Sequence, residues 1–140
     1  MPRGGGHARR PPDALVTQRS ALRERVAGSD LVPRLAREAS EHGWRVFFLG
    51  AAPGVAQAAA SILAGRHPGL QIAGCHAGSP APEEEAGIVR RVKEARTDLL
   101  LVAYGAPKQD LWLARNLEHT GAAVGIGVGG SFDFVAGVSR

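Results

Sequence analysis

From Gly28 onward the apolar positions recur first at helical and then at strand spacing. Leu31, Val32, Leu35, Ala36 and Ala39 form one helical stripe, with Ser29 as its N-cap and Gly43 as its stop. Arg45 to Leu49 then reads as a buried strand. Val55, Ala59, Ile62 and Leu63 make the next stripe, opened by Pro53, whose missing N–H costs little in a first turn. Leu70 to Gly74 is the second strand. Pro80 and Pro82 close the following loop, and Glu83, Glu84 and Glu85 fall in a first turn, where negative charge suits the helix dipole. Ile88, Val89 and Val92 carry that helix to about Arg96, and Asp98 leads into the apolar strand Leu99 to Ala103, of a kind buried on both faces. Pro107 starts a helix to about His119, with Leu111, Ala114 and Leu117 as its expected buried side, and Ala122 to Gly127 supplies a fourth strand.

Strand and helix therefore alternate throughout. The pattern predicts an α/β domain, a Rossmann-like parallel sheet with helices on both faces, in which ligands gather at the carboxyl ends of strands. Three glycine-marked stretches fall at such ends: LGAAPGV (Leu49 to Val55), GAPKQDLW (Gly105 to Trp112) and GVGGSFDFVAG (Gly127 to Gly137).

Composition sharpens this in three ways. A chain of 140 residues fits one domain with its own core. The formal charge of +4 arises largely before residue 26, where Arg3, Arg9, Arg10, Arg19, Arg23 and Arg25 face only Asp13 and Glu24. Residues 1–22 read as a disordered basic leader. Later charges are mixed along helices with no aromatic row for stacking bases, so no nucleic acid partner is expected. Cys75 is the only cysteine, which excludes an internal disulfide and a multi-cysteine metal site and leaves an ordinary buried thiol. No stretch approaches a membrane span and the start lacks a signal peptide's apolar centre, so a cytoplasmic protein is expected, with the arginines as a possible touch point for an anionic membrane surface.

The candidate chemistry concentrates in the glycine stretches. Lys93 and Lys108 are the only lysines, and Lys108 stands at a helix start, where a cation is disfavoured unless an anion is near. Gln109 beside it can donate to and accept from sugar hydroxyls or orient a phosphate oxygen. The competing reading makes both exposed first-turn residues without a ligand. In LGAAPGV, Gly50 and Gly54 allow a sharp turn into a helix whose free N–H groups suit a phosphate, or serve packing alone. It is neither the G-x-G-x-x-G dinucleotide pattern nor a Walker sequence. In GVGGSFDF, Gly129 and Gly130 permit close backbone approach to a nucleotide, and Ser131 and Asp133 supply hydrogen-bonding groups. Asp133 either accepts from ribose or sugar hydroxyls or caps its own turn. Phe132 and Phe134 read as anchors on alternate sides, Trp112 as helix packing, and His76 as a loop histidine. No D-x-D pair or histidine cluster is present, so neither metal nor cofactor is expected.

Taken in order, the three stretches together with RVAGSDLV (Arg25 to Val32) resemble the WecG/TagA/CpsF group of bacterial glycosyltransferases, glycosyltransferase family 26. The resemblance covers residues 23–140, a partial glycosyltransferase domain. It implies transfer of an N-acetylmannosamine-type sugar from a UDP donor to a polyprenyl-diphosphate-linked acceptor, in cell-surface polysaccharide or teichoic acid synthesis, at the inner face of the membrane. It implies substrate binding by Gly50, Pro53, Gly54, Gly105, Pro107, Lys108, Gln109, Gly129, Gly130, Ser131 and Asp133, with Arg25 and Gln109 supporting the chemistry. The family commonly has glutamate after the glutamine, where this chain has Asp110, which keeps the charge and shortens its reach. The family's threonine-asparagine region and aspartate-glycine pair, which carries its candidate general base, have no match here. Asp13 is followed by Ala14 and does not take that role. The chain also stops at Arg140, before the family's alanine-proline and tail, so a truncated core is expected. The alternative is a noncatalytic nucleotide- or partner-binding remnant. The sugar, the acceptor and the oligomeric state are not assigned.

Overall fold

The computed structural model describes residues 28–137. Along them run α1 (Gly28–His42), β1 (Arg45–Gly50), α2 (Val55–Arg66), β2 (Gln71–His76), α3 (Pro82–Glu94), β3 (Leu99–Ala103), α4 (Lys108–Thr120), β4 (Val124–Gly127) and α5 (Ser131–Ala136). The four strands form one parallel sheet in the order β2-β1-β3-β4. Consecutive parallel strands need crossovers, and the intervening helices supply them.

Successive strand residues point to opposite faces, so apolar runs such as Phe47 to Leu49 and Leu99 to Val102 feed two cores. On one face Val46, Phe48, Leu99, Leu101 and Ile126 pack with α1, α2 and α5. Phe48 and Phe132 meet there with ring centroids 5.4 Å apart. On the other face Phe47, Leu49, Leu100 and Val102 pack with α3 and α4 around Trp112. The alternation and the fold class read from the sequence are thus those of the structure.

Glycines set how closely the layers approach. A β-carbon at Gly125 would lie 2.6 Å from Leu113, and one at Gly74 would lie 2.7 Å from the Phe47 ring, so α4 and β2 sit where only glycine leaves room.

Several local expectations are corrected. Helix α4 turns a different side inward: Gln109, Trp112, Leu113, Asn116 and Thr120 are buried, whereas Leu111 is 55% exposed and Ala114 lies outside. Asn116 and Thr120 in that buried stripe bond to the backbone of their own helix. Asn116 Nδ2 donates to the Trp112 carbonyl at 3.0 Å, and Thr120 Oγ1 donates to the Leu117 carbonyl at 2.6 Å. Burial of the Trp112 indole then outweighs that of Leu111. Trp112 itself is helix packing, as its place predicts.

Ser29, expected just ahead of the helix, falls within the span of α1 (Gly28–His42). Ile62 is on the exposed side of α2. Strand β2 runs on to His76, which pairs with Leu49, so His76 is a strand end and not a loop residue. Phe132 is buried but Phe134 is 69% exposed, because the short helix α5 turns Phe132, Val135 and Ala136 to the core and Phe134 away from it.

Candidate functional site

In this strand order β1 connects outward to β2, and the chain then returns to place β3 on the other side of β1. The reversal makes the β1/β3 carboxyl ends the switch point at which open α/β sheets hold ligands. Gly50 and Ala103 are the last residues of their strands and are partners in register. Gly50 has φ 109°, and a β-carbon there would lie 2.9 Å from the carbonyl carbon and oxygen of Ala103. Any side chain is excluded both by backbone conformation and by space. Ala51 follows with φ 67° and its N–H donates to the Ala103 carbonyl at 3.3 Å. The chain then passes the exposed Ala52 and Pro53 and enters α2 through Gly54, a left-handed N-cap with no side-chain capping bond. The Val55 N–H is taken by the Ala52 carbonyl at 3.0 Å, and with no side-chain cap the remaining first-turn N–H groups have no capping side chain as acceptor.

The two other glycine stretches meet through Gln109. Its Oε1 accepts hydrogen bonds from Gly105 N–H and from Gly129 N–H, both at 3.0 Å. One carbonyl therefore ties the β3–α4 loop to the β4–α5 loop. Gln109 is 2% exposed and lies over the end of β4, where a β-carbon at Gly127 would come within 2.7 Å of its Cγ. The expectation of a glutamine free to meet ligand with both ends of its amide is corrected: its carbonyl is committed to the protein. The competing picture of an exposed first-turn residue is excluded by the same burial. Gly127 and Ala51 are the positions that sequence reasoning missed. The glycine run from Gly125 to Gly130 was the visible signal for the first, and no signal marked the second.

Lys108 stands at the first position of α4, after a cis Ala106–Pro107 peptide, with no side chain capping the helix. It is exposed and lines an open hollow of about 410 Å³ with Ser79, Pro80, Ala81, Leu111 and Arg115. Only Lys108 and Leu111 of these belong to a glycine-marked stretch. The neighbours Lys108 and Gln109 thus look in different directions, one toward the 79–81 loop and one into the junction of the other two loops.

Ser131 is buried and Asp133 half-buried in the first turn of α5, and Asp133 N–H donates to the Gly130 carbonyl at 3.0 Å. Gly130 is the exposed N-cap of that turn. Arg25 and Asp13 lie outside the described residues, as does the basic leader. At β2, burial raises the Cys75 thiol pKa, as an inert thiol requires, and burial together with Arg91 lowers that of His76. Tyr104 O–H donates to the Ala77 carbonyl at 3.2 Å, and burial raises its pKa, so it holds the β2–α3 loop as a neutral phenol. Among the described residues no group of three His, Cys, Asp or Glu could hold a metal ion. No helix among them is long and apolar enough to cross a membrane.

Residues 14–140 match the family model described as the glycosyl transferase WecG/TagA/CpsF family. The chain belongs to the WecG/TagA/CpsF family. Among its relatives is an N-acetylglucosaminyldiphosphoundecaprenol N-acetyl-beta-D-mannosaminyltransferase of Bacillus spizizenii, 33% identical over 116 residues, which are 83% of this chain and 44% of the relative. An enzyme of the same name from Staphylococcus aureus is 33% identical over 119 residues, 85% of this chain and 46% of the relative. The chain thus spans less than half the length of the curated relatives it matches. Within this family frame, the glycine stretches that carry the sequence resemblance are the ones that fold into the carboxyl edge of the sheet.

Proposed function

We propose that this chain serves glycosyl transfer, moving an N-acetylmannosamine-type sugar from a UDP donor to a polyprenyl-diphosphate-linked acceptor in cell-surface polymer synthesis. The observation that carries the reading is the meeting of the Gly105 and Gly129 loops at Gln109, on the same carboxyl edge as the paired strand ends Gly50 and Ala103, in a chain of this family. Support for the acceptor comes from the relatives, whose names specify a diphosphoundecaprenol-linked N-acetylglucosamine and transfer of N-acetylmannosamine. Support for a nucleoside diphosphate donor comes from the site's chemistry.

Departure of a nucleoside diphosphate breaks the bond from sugar C1 to phosphate oxygen and leaves negative charge on the diphosphate. First-turn N–H groups at the uncapped starts of α2 and α4, with the Lys108 ammonium beside the latter, would stabilise that charge. Positive φ at Gly50, Gly54, Gly105 and Gly129 lets bare backbone face the ligand. Gly130 would leave room for the nucleoside, and Ser131 and Asp133 would bond its ribose or the donor sugar. Pro53 and Pro107 would set the two helix entries. The new bond forms from sugar C1 to the acceptor hydroxyl oxygen, whose proton passes to a general base. Arg25 is the further cation for the diphosphate. Action on a lipid-linked acceptor makes the protein peripheral to the inner face of the membrane.

Calorimetric titration of the purified chain with UDP and UDP-N-acetylmannosamine tests the reading. Saturable heat with both ligands, weakened about tenfold or more in Lys108→Ala, is the expected result, since a charged hydrogen bond contributes about 1.5–3 kcal/mol. A folded chain that takes up neither ligand would overturn it.

A further inference from the structure

The Gln109 side-chain oxygen accepts two hydrogen bonds, and the two donors belong to different loops. Gly105 follows β3 and has φ 80°; Gly129 follows β4 and has φ 56°. Neither glycine meets anything within 4 Å of where a β-carbon would stand, so no side-chain packing at that position holds either loop. Gln109 is itself immobilised: it is 2% exposed, its N–H donates to the Gly105 carbonyl at 2.8 Å, and its Cγ and Cδ lie against Gly127. The β3–α4 loop is therefore held to Gln109 at both the N–H and the carbonyl of Gly105, while the β4–α5 loop is held to the same amide from the far side.

A carbonyl shared between two donors couples them. If one loop swings away and takes the Gln109 side chain with it, the other loses its acceptor, and a half-buried N–H without an acceptor is costly. We propose that Gln109 is a positioning residue that makes the β3–α4 and β4–α5 loops open and close as one unit, so that a ligand held by either loop orders both. The benefit to donor binding rests on the function proposed above; the coupling itself does not. Occupancy of a preset pair of loops spares the ligand the cost of ordering each one separately.

Amide hydrogen exchange of the ¹⁵N-labelled chain, followed by NMR across a series of low urea concentrations, tests the coupling without any variant. Gly105 and Gly129 amides are expected to share one opening, with the same free energy and the same urea dependence. Different urea dependences at the two amides overturn the proposal. Gln109→Met keeps length and removes the acceptor, and both amides should then exchange at least tenfold faster; Gln109→Glu keeps two acceptor oxygens and should return both toward the parent rates. Acceleration at one amide only, or no recovery with glutamate, overturns it. Should the methionine variant fail to fold, the urea series on the parent chain still decides. Added UDP should slow both amides together. Slowing at one alone contradicts the coupling, whereas no effect at either sinks the donor reading and leaves the coupling to the urea series.

Discussion

The two edges of the one sheet are built on opposite plans. At the amino edge, side chains fasten the backbone. Asp98, fully buried before β3, accepts the Arg45 N–H at 2.9 Å through Oδ2, while its own carbonyl takes the N–H groups of Ala123 and Val124. Arg45 in return donates from Nε and Nη2 to the Ala95 carbonyl, and Thr97 Oγ1 donates to the Val92 carbonyl. One aspartate thus joins the starts of β1, β3 and β4. At the carboxyl edge β1 ends at Gly50, β3 and β4 run into loops containing Gly105 and Gly129, and helices α2, α4 and α5 begin without side-chain caps. There the Gln109 side chain bridges two of those loops. The difference separates two plans: at the amino edge the Asp98, Arg45 and Thr97 side chains fasten strand starts to neighbouring backbone, whereas at the carboxyl edge the strands give way to glycine turns and helix starts without side-chain caps, the kind of edge where open α/β sheets hold ligands.

Substitutions can break this comparison, and the largest effect is expected where backbone meets backbone. Gly50→Ala forces a β-carbon to 2.9 Å from Ala103 in a left-handed conformation, so strain and overlap together should cost about 3 kcal/mol or more in urea unfolding. At the opposite edge Asp98→Ala strips an acceptor from a buried junction and should lower stability by about 1.5–3 kcal/mol, with UDP affinity unchanged in the folded fraction. Gln109→Met removes the acceptor of two N–H groups and should cost about 2 kcal/mol, and unlike Asp98→Ala it should weaken UDP binding as well. Lys108→Ala sharpens the contrast from the other side. As an exposed residue it should move stability by less than about 0.5 kcal/mol while affinity falls about tenfold. A double variant of Lys108 and Gln109 would confound these effects, because one residue is exposed and the other belongs to the interior.

The smallest effect belongs to a pair away from both edges. Arg115 donates to Glu85 across α3 and α4, and that bond holds the Glu85 carboxyl below its ordinary value. A depressed carboxylate stabilises the fold above the unfolded value, about 4.5, and that contribution is lost as pH falls through the folded value. Because Arg115 is half exposed to water, Arg115→Ala should cost less than about 1 kcal/mol at pH 7, and its difference from the parent in thermal unfolding should vanish under acidic conditions.

Much of the fold was legible because parallel strands buried on two faces are continuous apolar runs: Leu99 to Val102 and Phe47 to Leu49 could hardly be anything else. The glycine stretches were legible as strand ends for the same reason. The side that α4 buries was only partly legible: of the apolar set Leu111, Ala114 and Leu117 only Leu117 packs against the core, while Asn116 and Thr120 go inside by bonding to the backbone of their own helix and Gln109 does so by accepting from Gly105 and from the distant Gly129. The same blindness hid the role of Gln109. A glutamine beside a lysine at a helix start reads as a pair of ligand contacts, and only the approach of Gly129, twenty residues on, reveals that the pair is split between interior and surface. The Asp98 junction likewise depends on Arg45 and Ala123 arriving from other strands.

The central claim is that ligand chemistry belongs to the carboxyl edge and fold maintenance to the amino edge. Backbone NMR of the labelled chain during titration with UDP tests it most directly. The account predicts saturable shifts at 50–57, 105–110 and 129–133, with the amides of Arg45, Asp98, Ala123 and Val124 unmoved. Shifts centred on that amino-edge junction, or none anywhere in a folded chain at millimolar UDP, would contradict it.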